Sequence, residues 1–126
     1  MRLEYFSNVD IPMLITRGVK ERISKELCQN LFALAFQRKV ELDKKGMVTA
    51  YFQLFTVKTS KYNNMFTKCD ITMEQEQPDY ETKHTKIVLG NFRFNGSLYL
   101  IESWNGKTEN LTLDDHYITL LLPEEY

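Results

Sequence analysis

The stretch Ser24-Lys25-Glu26-Leu27-Cys28-Gln29-Asn30-Leu31-Phe32-Ala33-Leu34-Ala35 decides the fold class. Leu27, Leu31, Leu34 and Ala35 recur at i, i+4, i+7 and i+8, the repeat of one helical face, and Cys28 and Phe32 flank that stripe. Lys25, Glu26, Gln29, Asn30 and Gln37 fall mostly on the other side. Ser24 supplies a hydroxyl that can accept an orphan N–H of the first turn, and Ile23 with Cys28 suits a hydrophobic staple. At the far end Lys44 and Lys45 meet the negative end of the helix dipole, and Gly46 serves as a C-cap. The spacing predicts a helix over 24–44, frayed at its ends.

Outward from that helix the chain reads as strands. Before it, Pro12-Met13-Leu14-Ile15-Thr16 is a short strand, which Arg17-Gly18 is expected to break. After it, Tyr51-Phe52-Gln53-Leu54-Phe55-Thr56-Val57 is apolar on both alternating faces and reads as a central strand, followed by a polar loop from Lys58 to Asn64. From Met65 to Met73 the alternation is clean: Met65, Thr67, Cys69, Ile71 and Met73 share one face, and Phe66, Lys68, Asp70 and Thr72 the other. An acidic loop over 74–81 leads to Ile87-Val88-Leu89, with Gly90 a candidate bulge. Asn95-Gly96 and Asn105-Gly106 supply the positive φ angles of tight hairpin turns. The first would join Phe92-Arg93-Phe94 to Leu98-Tyr99-Leu100-Ile101; the second would reverse the chain after Trp104 into Lys107 to Leu113. A last strand, Tyr117 to Leu122, stops at Pro123. One long helix and about six strands joined mostly by hairpins give an α+β fold: a twisted, largely antiparallel sheet with the helix packed on one face.

The 126 residues suit a single domain, 1–126, and the 43% hydrophobic fraction suits a packed core rather than disorder. A net charge of −1 argues against a basic coat protein and against an acidic mimic. No signal-peptide-like run opens the chain and no segment approaches the roughly 20 apolar residues of a membrane span, so a cytoplasmic location without membrane association is expected. Cys28 and Cys69 are then expected reduced and in the core.

Four pieces taken together resemble a known family: Ile15-Thr16-Arg17-Gly18-Val19 before the helix, Tyr51-Phe52-Gln53-Leu54-Phe55, Gly96-Ser97-Leu98-Tyr99-Leu100-Ile101-Glu102, and the closing Ile118-Thr119-Leu120-Leu121-Leu122-Pro123-Glu124-Glu125-Tyr126. The chain resembles, over 12–126, a small Firmicute family first defined on staphylococcal proteins and catalogued as domain of unknown function family 960. Thr-Arg-Gly before the helix and the Glu-Glu-Tyr ending are its best markers. The resemblance implies a bacterial or mobile-element setting and brings no catalytic residues with it.

The residues themselves offer no catalytic, cofactor or metal constellation. Cys28, Cys69, His84 and His116 are scattered, without metal-ligand spacing. There is no nucleophile elbow and no phosphate-binding glycine loop. Asp114-Asp115-His116 is the densest polar cluster and the one candidate for proton transfer, but turn chemistry accounts for it. Tyr51, Phe52, Phe55, Phe92, Phe94, Tyr99 and Trp104 could form a stacking platform for bases, although a core of this size needs such residues. Trp104, beside a turn, is the one expected to face a partner.

Charge is unevenly distributed. Residues 1–68 carry 12 Lys+Arg against 6 Asp+Glu, and residues 69–126 carry 4 against 11. Arg17, Lys20, Arg22 and Lys25 crowd the helix start, where the dipole gives cations nothing, so they are candidate interaction residues together with Trp104. Antiparallel pairing could equally interleave the two halves and cancel the asymmetry. The leading expectation is a non-enzymatic interaction or regulatory protein with a protein partner or self-association, marked by an exposed apolar patch. Nucleic-acid binding through the basic half, Arg38 and Lys39 included, is the alternative, marked by a basic surface. An enzyme at Asp114-Asp115-His116 is the other, marked by a pocket holding His116 and carboxylates.

Overall fold

A computed structural model describes residues 3–6, 13–46, 52–75, 81–104 and 116–126. The elements run β1 (Leu3–Phe6), β2 (Met13–Thr16), α1 (Arg17–Arg22), α2 (Lys25–Lys44), β3 (Phe52–Lys61), β4 (Phe66–Glu74), β5 (Lys83–Gly90), β6 (Gly96–Trp104), β7 (His116–Leu121) and a terminal 3-10 helix, Pro123–Glu125. The architecture is α+β, with an open, twisted sheet in the order β1-β2-β7-β6-β3-β4-β5. Seven strands stand where about six are expected, because Leu3–Phe6 adds an edge strand on β2. The sheet is mixed: β2 and β7 run parallel, Met13 opposite Ile118, while the other pairings are antiparallel.

Helix α2 forms where its spacing predicts. The Ser24 hydroxyl accepts the Leu27 N–H at 3.2 Å, and Gly46 at the far end takes φ +69°. Leu27, Leu31 and Leu34 are buried in one cluster with Phe55, Val57, Cys69, Ile71, Met73, Leu98, Leu100 and Leu120 of the sheet. The Glu26 carboxylate accepts the Gly90 N–H at 2.9 Å, tying the start of α2 to the end of β5. Arg38 is the exception on the inner face. Its guanidinium is buried and donates to the Glu81 carbonyl, which gives the charge a polar partner inside an apolar layer.

Several local expectations are corrected. Arg17-Gly18 does not simply end β2; it opens α1, N-capped by Thr16, whose hydroxyl accepts the Val19 N–H. The polar stretch after Val57 is not all loop: β3 continues to Lys61, because Lys58, Ser60 and Lys61 pair in register with Asp70, Lys68 and Thr67. Met65 leaves the buried face for the hairpin tip and is 71% exposed. Gly90 ends β5 opposite Phe66 without a bulge. The hairpin expected at Asn95-Gly96 does not form. Gly96 is the first residue of β6, and Gly46 is the sole glycine with positive φ among the described residues. The preceding segment is recruited by β3 instead: Phe94 donates its N–H to Thr59 Oγ1 at 3.1 Å, Asn95 Oδ1 accepts the Thr59 N–H at 3.0 Å, and Phe94 sinks into the core. Asn105-Gly106 and the strand expected from Lys107 to Leu113 lie outside the described residues.

Candidate functional site

The two ends of the chain meet at the start of α1. Glu125, in the terminal 3-10 helix, places its carboxylate on three donors: Thr16 Oγ1 at 2.5 Å, the Gly18 N–H at 3.1 Å and the Leu122 N–H at 3.0 Å. Arg22 pairs with Glu124 at 2.8 Å. Tyr126 sets its ring edge-on to Phe52 and Tyr99, with centroids 5.9 and 5.7 Å away. Burial works to raise the Glu125 pKa, but the bonds from Thr16, Leu122 and Gly18 and the charge of Arg22 outweigh it and hold the carboxyl below its ordinary value. Gly18 is required by this approach: a Cβ there would stand 2.8 Å from the carboxylate atoms. The Thr-Arg-Gly and Glu-Glu-Tyr segments, more than 100 residues apart, are therefore one structural latch.

The predicted interaction residues sit around this latch. Arg17, Lys20, Arg22 and Lys25 are all exposed. Arg17 is paired with Glu21 at 2.9 Å, and Arg22, paired with Glu124, also lies 5.6 Å over the Phe94 ring. Trp104 ends β6 opposite His116, the first residue of β7; the side chains of both, and all of Asp114 and Asp115, lie outside the described residues. Of the wider basic set, Arg38 is buried and Lys39 meets Glu102 at 3.4 Å, so neither adds to an open basic surface at the helix start. Among the described residues the basic and acidic halves interleave. The strands β7, β6 and β5 of the acidic half alternate in space with β2 and β3 of the basic half, and Arg22–Glu124 and Lys39–Glu102 join the two.

Cys28 and Cys69 are free and buried, in keeping with core packing. Desolvation pushes the Cys28 thiol up to about 12, and burial also raises Cys69. Among the described residues no group of three His, Cys, Asp or Glu side chains could hold a metal ion, and no helix is long and apolar enough to cross a membrane.

What sequence reading missed lies at the opposite end of the β3–β4 hairpin. Tyr62, Met65 and Phe66 at the tip are 60%, 71% and 41% exposed, and Val88 on β5 is 46% exposed. Phe66 and Val88 lie on the sheet face turned away from α2. Register places Ser60, Lys68 and Val88 in one row there, and Lys58, Asp70 and Lys86 in the next. Phe66 and Val88 thus flank Lys68, with Lys58 and Lys86 beside a single carboxylate. The signal was present in the Phe66-Lys68-Asp70 alternation, but only the pairing with β5 gathers the apolar and basic residues. On the helix side of the same tip, Thr59, Ser60, Lys61, Asn63, Asn64, Thr67, Asn91, Phe92 and Arg93 line a polar cleft of about 250 Å³.

Comparison with protein-family models, with curated proteins and with solved structures finds no match.

Proposed function

We propose that this protein is a non-enzymatic interaction module, and that its docking surface is the β3–β4–β5 end of the sheet on the face away from α2. The observation carrying this reading is the exposure of Phe66 and Val88 on that face beside Lys58, Lys68 and Lys86, with Tyr62 and Met65 exposed at the adjoining hairpin tip. Apolar side chains held in water on a folded scaffold gain free energy when a partner covers them, and the surrounding cations select an acidic partner. The occupant this chemistry fits is a protein segment with apolar anchors among carboxylates. The edge strand β5 carries Lys83, His84 and Lys86, which discourage indiscriminate strand addition and favour face-on docking. The resemblance to domain of unknown function family 960 adds a bacterial setting to this reading and no activity.

The test is titration with a Glu-rich peptide bearing Leu and Phe anchors, followed by backbone amide shifts. Perturbations confined to Tyr62, Met65, Phe66, Lys68 and Val88, abolished in Met65→Ser with Phe66→Ser, support the docking face. Unchanged binding in that double variant refutes it. Binding of single-stranded oligonucleotides at the same residues, with a steep loss of affinity as salt rises, would instead favour the nucleic-acid alternative.

A further inference from the structure

We infer that the polar cleft on the helix side of the β3–β4 tip is a binding site for a phosphoryl group. It is a separate site from the docking face, built from different side chains, and it stands or falls independently of the proposed function.

Three observations carry the inference. The first is charge. Lys61 and Arg93 both line the cleft, no Asp or Glu does, and among the described residues neither cation forms an ion pair. Two cations without an ion pair, lining one concave space, create a local positive field that attracts an anion.

The second is the direction of the remaining hydrogen-bonding capacity. Asn63 Oδ1 accepts the N–H groups of Met65 and Phe66, each at 2.8 Å, so this oxygen is consumed internally. Asn91 Oδ1 lies 3.3 Å from the Thr67 hydroxyl, which donates to it or to the Phe92 carbonyl at 3.0 Å. Asn63 keeps its NH₂ group for a ligand, and Asn91 offers an NH₂ group as well. With the Lys61 ammonium and the Arg93 guanidinium, the charged groups of the lining are all donors.

The third is preorganisation. Thr67 is 3% exposed and anchors the floor, accepting the Phe92 N–H at 3.2 Å. Thr59 donates its N–H to Asn95 Oδ1 and accepts the Phe94 N–H at its hydroxyl, which fixes the far wall. The floor and the far wall are therefore held by internal bonds, which lowers the entropic cost of binding there.

Among anions, a phosphate monoester matches best. Its three terminal oxygens accept from several directions at once, where a carboxylate accepts only around one plane. Its second ionisation, near pH 6, gives a charge approaching −2 to set against Lys61 and Arg93. The cleft, of about 250 Å³, has room for a phosphate that carries a small organic group. The phosphoryl group could belong to a small monoester or to the terminus of a nucleic-acid strand, and the experiment separates the two.

Isothermal titration of the full chain with inorganic phosphate, uridine, uridine monophosphate and a 5′-phosphorylated oligouridylate tests the inference. Expected are saturable binding of the monophosphate, none of uridine, and affinity weakened about tenfold or more by Lys61→Ala or Arg93→Ala. Both residues are exposed, so these variants keep the native circular-dichroism spectrum. Lys44→Ala, an exposed cation at the C-terminal end of α2 and outside both proposed sites, should bind as the parent does. A higher affinity for the oligonucleotide than for the monophosphate assigns the phosphoryl group to a strand. Absence of saturable binding to any phosphorylated probe, or an equal loss in Lys44→Ala, overturns the inference.

Discussion

Replacing Gly18 by Ala should destabilise this protein, although helix α1 by itself would be stabilised by the change. In a helix Ala is favoured over Gly by about 0.5–1 kcal/mol, because Gly surrenders more backbone freedom on folding. Here the added Cβ would stand 2.8 Å from the carboxyl carbon and both oxygens of Glu125, against ordinary carbon contacts of about 3.5–4.0 Å. The Glu125 side chain is flexible and can retreat, but retreat pulls it from the Gly18 N–H at 3.1 Å and from Thr16 Oγ1 at 2.5 Å. Bonds to a charged group contribute about 1.5–3 kcal/mol each when fully shielded, and this carboxylate is only part-buried, so a combined loss of about 1–3 kcal/mol is appropriate. The net effect is a destabilisation of up to about 2.5 kcal/mol. In a Glu125→Ala background the steric conflict and the latch are both gone, and Gly18→Ala should then stabilise by about 0.5–1 kcal/mol. Urea unfolding of the four proteins in this cycle measures both values. A change of sign between the two backgrounds is the outcome the latch requires. Equal stabilisation in both would show that Glu125 contributes nothing at Gly18 and would refute the latch.

Other outcomes follow from the same structure. Glu125 has a lowered pKa, so its contribution is complete above the unfolded value near 4.5 and is lost as pH falls through the lower folded value; the stability difference between the parent and Glu125→Gln should shrink in that acidic window, as read by chemical denaturation at successive pH values. Leu31 is fully buried against the sheet, and Leu31→Ala should cost about 2–5 kcal/mol; an unchanged denaturation midpoint would mean that its helical face is wrongly assigned. Cys28 and Cys69 should resist a thiol reagent in the native protein at neutral pH and react at the rate of unfolding, since both are buried and their thiolates disfavoured; rapid native labelling would contradict that burial. Gly96→Val should destabilise because its two γ-methyls extend from a Cβ already 3.2 Å from the Phe94 ring, and not through a positive φ; Gly96→Ala, which adds the Cβ alone, should cost less than Gly96→Val, which thermal unfolding can decide.

Helix α2 was legible from residues 24–46 because every signal there is local: the Ser24 cap, the Leu27-Leu31-Leu34 stripe and Gly46 act within a few turns of one another. The alternation of β4 was legible for the same reason, since a strand's inner and outer faces follow from a period of two. Local sequence could not say which strands become neighbours. The parallel pairing of β2 with β7 joins residues about a hundred positions apart, and nothing in Met13–Thr16 encodes its direction. The Asn95-Gly96 pair shows the converse error. Its turn propensity is real, but Thr59 and the core site for Phe94 claim the segment first, and tertiary contacts outweigh a preference of that size. The candidate sites belong wholly to the tertiary level. Phe66 and Val88 become one surface, and Lys61 and Arg93 one cleft, only when β4 pairs on both sides. Composition settled that the chain could build a core and the helical period settled its class. The placement of charge and exposed apolar surface waited on strand order, because hydrogen-bonded pairing brings together residues whose separation along the chain carries no trace of it.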